Sequence, residues 1–134
     1  MFPITSIKAY VVTFITCITI DLIWLLLIAK PFYQKHLGYL LADKAELLYG
    51  LLFYLLFSAG LLIFVLIPAL QKNSLKDALL FGFFFGLIVY SAYDLTNQAT
   101  IKNWPFIVTC IDMLWGAVLA ALTCTISFSI SNLL

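Results

Sequence analysis

Four stretches of this chain run for about 20 residues each with almost no polar side chain, covering about 9–29, 47–70, 78–97 and 105–126. A helix needs roughly 20 apolar residues to cross about 30 Å of hydrocarbon, so each run is long enough to span a bilayer. None shows the period-two alternation of a lipid-facing strand, and a continuous helix satisfies its own backbone groups where no water is present. The pattern predicts an all-α fold, a four-helix transmembrane bundle, with residues 1–134 forming a single integral membrane domain.

Between the runs the polar residues collect in short connections. Lys30-Pro31 closes the first run, and Pro68 with Gln71-Lys72-Asn73 closes the second. The predicted loops are about 30–46, 71–77 and 98–104. The first of them carries Phe32, Tyr33, His36 and Tyr39, residue types that suit the headgroup region. No loop is large enough for a separate soluble domain, so any chemistry belongs within the bundle or at its mouth. The first run is too long for the apolar core of a signal peptide, contains Asp21 and lacks an A-x-A cleavage site, so it is a retained helix. Four spans place both ends on one side of the membrane. The flanking lysines nearly balance, Lys8, Lys72 and Lys76 against Lys30, Lys35, Lys44 and Lys102. The acids Asp43 and Glu46 beside Lys44 tilt the reading towards cytoplasmic termini.

Composition narrows the class further. Of 134 residues, 65% are hydrophobic and 10% charged, against about 45–50% and about 25% in soluble domains. Too few polar side chains remain to cover a water-facing surface, which excludes a soluble enzyme. Seven lysines, no arginine and six acids leave a net charge of +1, so no basic stripe exists to meet nucleic acid. Cys17, Cys110 and Cys124 all fall within spans and form no C-x-x-C pair, which fits small buried apolar residues. His36 is the single histidine, so no metal site is expected, and no cofactor motif is visible.

The candidate chemistry lies in polar residues inside the spans. Asp21, Asp94 and Asp112 are there, with no lysine, arginine or histidine in any span to pair with them. An isolated charge at the bilayer centre costs about 2.5–3.5 kcal/mol on insertion scales. The three must therefore face inward and be neutral, hydrogen-bonded or matched by an external cation. Asp21 precedes Lys30 by nine residues and Asp112 follows Asn103 by nine. On antiparallel helices, both lie about 13 Å beneath the same face. Asp94, near the end of the third run, joins them in that half of the bundle.

Aromatic and small residues surround these acids. Asp21-Leu22-Ile23-Trp24 and Asp112-Met113-Leu114-Trp115 repeat a D-x-x-W spacing that puts acid and indole on one helical face. Ala78, Gly82, Gly86, Tyr90 and Asp94 recur every four residues, a small-residue stripe for helix packing that ends in polar groups. Tyr93 and Asn97 widen it, and Gly50, Tyr54 and Ser58 draw a polar line on the second helix. We take Asp21, Asp94 and Asp112 as candidate catalytic residues, and Trp24, Trp115, Tyr90, Tyr93, Asn97 and Tyr54 as candidate ligand-binding residues. The bland reading of the same residues is a structural knot, with Asp94 and Asn97 as helix caps and the indoles as packing.

The run Tyr93-Asp94-Leu95-Thr96-Asn97-Gln98-Ala99, then Trp104-Pro105, then Asp112-x-x-Trp115-Gly116, resembles a family of bacterial membrane proteins known as domain of unknown function 2177. Asp21-x-x-Trp24-Leu25 and Phe32-Tyr33 with Leu37-Gly38 extend the resemblance over nearly the whole chain. It implies a short four-span protein of the bacterial inner membrane and supplies no reaction.

Two functional readings follow from the residues. In the first, the carboxylate and aromatic site binds or acts on a hydrophobic, lipid- or isoprenoid-like molecule. A protonated acid serves as general acid and its ionised partner as base. In the second, a homodimer exchanges protons for a cationic or polar small molecule, since intramembrane acids mark proton and ion pathways. A structural or accessory membrane subunit is the third. The partners expected are membrane lipids and a hydrophobic or cationic small molecule.

Overall fold

The computed structural model describes residues 4–134; the first three positions of the expected domain lie outside the described residues. Four helices long and apolar enough to cross a membrane account for most of them: Thr5–Leu37, Leu47–Lys72, Leu75–Thr100 and Phe106–Ser131. The all-α, four-span architecture expected from the hydrophobic runs is what the chain adopts.

The first helix runs on through the proline that was expected to end it, and the second passes Pro68 to end at Lys72, close to its expected bound. In the first, an α segment Ile4–Trp24 passes through a π turn, Leu25–Ala29, into a second α segment, Lys30–Leu37. The second repeats the device: Leu47–Leu61, a π turn Leu62–Leu66, then Ile67–Lys72. Both π turns end one residue before an X-Pro pair, Lys30-Pro31 and Ile67-Pro68. The match has a cause. Proline has no N–H to give and its ring collides with the carbonyl four residues back. A π turn inserts one extra residue and re-pairs the backbone, with Lys30 N–H bonding Leu25 O and Ile67 N–H bonding Leu62 O. The first loop thus shrinks from the predicted 30–46 to 38–46, and Phe32, Tyr33 and His36 sit on helix rather than in loop.

The other turns are tight. Asn73 takes a left-handed conformation, φ 51°, and closes the second helix, while Ser74 accepts a hydrogen bond from Asp77 N at 3.1 Å and opens the third. Lys72 and Asp77 pair at 3.6 Å on the surface, a contact of little energetic weight.

The third and fourth helices pack most closely, because small residues line their seam. A Cβ added at Gly86 would stand 2.1 Å from the Gly116 carbonyl oxygen, and one at Gly82 would stand 3.0 Å from that of Ala120. Ala78, Gly82, Gly86 and Asp94 are all buried, so the expected stripe is a packing seam. The first helix meets the fourth through Ala9, Thr13, Cys17 and Asp21, again buried at every fourth position. Along its first half the second helix leans on the first, and along its second half on the third and fourth. Its N-terminal turns stand away from the bundle. Gly50, expected on the inward polar line, therefore faces open space, while Tyr54 is half-buried and Ser58 fully buried.

Candidate functional site

The intramembrane acids converge, but through partners on other helices. Asp21 is buried and both its oxygens are engaged. Oδ1 accepts from Trp115 Nε1 at 2.8 Å, and Oδ2 accepts from the Tyr54 hydroxyl. Three helices therefore meet at one carboxyl group. Trp24 and Trp115 stack with ring centroids 4.4 Å apart and planes 9° from parallel. The D-x-x-W repeat is thus crossed. Two antiparallel helices carry acid and indole in opposite vertical order, so the indole of the fourth comes level with the acid of the first.

Asp112 is bonded differently. Its Oδ1 accepts from the hydroxyl of Tyr33, a residue the sequence reading left in the first loop. Tyr33 follows Asp21 by twelve positions, which is about a third of a turn out of phase in an unbroken α-helix. The π turn at Leu25–Ala29 absorbs one residue and leaves an effective eleven, about three full turns. Ala29 and Leu37 return to the buried face by the same shift. A proline pair inside an apolar run was the signal that could have revealed this bulge, and with it Tyr33.

Asp94 lies behind Asp112, near enough for the two carboxyl groups to interact. It is 0% exposed, and neither of its side-chain oxygens has a hydrogen-bond partner. The third helix continues to Thr100, so Asp94 is well inside it and does not cap its end. Asn97 is half-buried, and it is the backbone carbonyl of Asn97 that receives the closing hydrogen bond, from Ile101 N–H at 2.8 Å.

These groups surround a cavity of about 260 Å³ lined by Asp21, Trp24, Leu25, Tyr33, Leu37, Leu41, Tyr90, Tyr93, Val108, Asp112 and Trp115. A second space of about 300 Å³ lies between the second and third helices, bounded by Phe53, Val89, Tyr90, Tyr93 and Asp112. Tyr90, Tyr93 and Asp112 belong to both walls. Gly116 explains how Tyr90 reaches its place: a Cβ there would lie 2.2 Å from the Tyr90 ring. Of the nine sequence candidates, Asp21, Trp24, Tyr90, Tyr93, Asp112 and Trp115 line the first cavity. Tyr54 touches it only through Asp21, Asp94 stands behind it, and Asn97 is not in its wall.

The loop motif forms the roof. Trp104 Nε1–H donates to Thr109 Oγ1 at 3.0 Å, Thr109 donates to Gln98 Oε1 at 2.8 Å, and Gln98 Nε2 returns a bond to Trp104 O at 3.0 Å. This closed ring buries Trp104 against Leu37 and Val108, with Phe32 and Tyr33 packed alongside. Tyr39 donates to Asn103 O at 2.8 Å and ties the first loop to the third.

A polytopic membrane bundle with a carboxylate-lined aromatic cavity near one end is the class of protein these elements define. The family model described as "Predicted membrane protein (DUF2177)" matches residues 6–129, and the chain belongs to that family. It is an integral, multi-pass membrane protein. No curated protein and no solved structure matches it.

Proposed function

We propose that this protein holds a hydrophobic, lipid- or isoprenoid-like small molecule in the cavity of the bacterial inner membrane bundle, with Asp112 as the group that meets its polar end. One observation carries the reading. Two carboxyl groups, a stacked indole pair and three phenols share the wall of one cavity, and no lysine, arginine or histidine is among the lining residues. Apolar walls with a few convergent polar groups are the usual make-up of a small-molecule site.

The two acids carry different tasks. Asp21 has both oxygens engaged by protein donors, so it holds Trp115 and Tyr54 in position. Asp112 has one oxygen on Tyr33 and borders both cavities. Proton transfer at the ligand's polar group runs through Asp112. Proton-coupled exchange is the weaker reading because the site lies at one end of the bundle, whereas alternating access favours the midplane.

Native mass spectrometry from mild detergent tests this, with wild type beside Asp112→Asn. A discrete hydrophobic molecule on wild type and its loss from the variant is the expected result. An empty, uniform dimer would replace the reading with transport, and an empty monomer would replace it with an accessory role.

A further inference from the structure

Resting on that reading, we infer that the ligand is a single-chain amphiphile that arrives sideways from the bilayer. It places a hydrogen-bond-donating head, a hydroxyl or an ammonium, at Asp112 and leaves its chain between the second and third helices. The geometry that carries this is a wall common to the two cavities. Asp112, Tyr90 and Tyr93 line both, so the acid borders the outer space as well as the inner one.

The outer space has the position of a portal. Phe53, on the second helix, and Tyr93, on the third, are 38% and 57% exposed, on stretches long and apolar enough to span. Over this stretch the second helix leans on the first, and aromatic rings bridge to the third: Phe53 and Phe57 approach Tyr90 with centroids 6.3 Å and 6.1 Å away. Rings can swing aside without breaking backbone packing. An apolar chain can therefore lie between these helices with its far end among the lipids.

Head chemistry follows from what the common wall offers. Asp112 has one oxygen on Tyr33 and borders both cavities, so its second oxygen is the acceptor that a head group meets. Carboxyl oxygens call for a donor, so a hydroxyl or ammonium fits, a second carboxylate is repelled, and a bare hydrocarbon leaves the acid unmatched.

The test is binding to purified protein in lipid nanodiscs, using four probes with one isoprenoid chain: the primary alcohol, the primary amine, the carboxylic acid and the parent hydrocarbon. The alcohol or the amine should bind at least about tenfold more tightly than the acid and the hydrocarbon, as expected for a hydrogen bond to an acid. Val89→Trp, which fills the outer space, should weaken that binding by a similar factor, while Leu26→Trp, on the exposed side of the first helix and outside both cavities, should leave it unchanged. Phe53→Trp repeats the block should Val89→Trp fail to fold. Equal binding of all four chains overturns the head assignment. Full binding by the Val89→Trp or Phe53→Trp protein, or an equal loss in Leu26→Trp, overturns the lateral route while leaving the embedded site intact. Failure of wild type to bind any of the four probes overturns the proposed function and this inference together.

Discussion

At the scale of single residues, the acids divide by how many donors reach them. Asp21 is held by Trp115 and Tyr54, so removing the Tyr54 hydroxyl leaves a buried carboxyl oxygen unmatched. Tyr54→Phe should lower stability by roughly 1–3 kcal/mol, read as a lower unfolding midpoint in detergent. Asp112→Asn should cost less stability, because Tyr33 can still donate to the side-chain carbonyl, while ligand retention is lost. A stability loss at Asp112 as large as that of Tyr54→Phe, with ligand retained, would make both acids structural. Thr109 is the hinge of the roof. Thr109→Ala strands the buried Trp104 indole N–H, and the expected loss is again about 1–3 kcal/mol in the same melt. The acids and indoles were legible as anomalies, since nothing apolar explains an aspartate inside a span. Their pairing was not. The spacing put Trp115 on the same helical face as Asp112 and named no partner, and the structure has it bond Asp21 across the bundle.

At the scale of elements, glycines report how near each backbone comes to its neighbour. Gly86 and Gly116 have no room for a methyl group, Gly60 meets only the movable Phe85 ring, and Gly50 has nothing within 4 Å. Alanine substitutions should therefore form a graded series. Gly86→Ala should cost about 1–3 kcal/mol or more through forced separation of the third and fourth helices. Gly60→Ala should cost less, and Gly50→Ala should be neutral or stabilising by up to about 1 kcal/mol through helix propensity. Thermal melts of the three variants check the order. The π turns supply a second test. Deleting the exposed Leu27 together with Pro31→Ala removes the extra residue and the reason for it, so the helix should become regular with Tyr33 still facing Asp112. Deleting Ile15 from the straight segment should instead rotate everything beyond it and abolish folding. Monodispersity on size exclusion separates the two outcomes.

At the scale of the whole molecule, the surface is the mirror image of a soluble protein's. Large residues such as Leu26, Leu27, Leu56 and Phe64 are more than two-thirds exposed, and the charges gather at the helix ends and loops, apart from the inward acids. The protein should stay with the membrane fraction through an alkaline wash and precipitate when detergent is removed without lipid. That class, the number of spans and the family were all readable along the chain. Each depends on hydrophobic run length or on local motif spacing, which the solvent selects one segment at a time. The length of the first helix and the place of Tyr33 turn on the π turn before Pro31, and the crossed indole–acid pairing on register between segments far apart in sequence. One inserted residue at a π turn changes which side chains face inward over the following two turns or so, and hydropathy does not record it. The cavity is a further step removed, being the space left where glycines draw the third and fourth helices together and aromatic rings stand between the first and fourth and between the second and third.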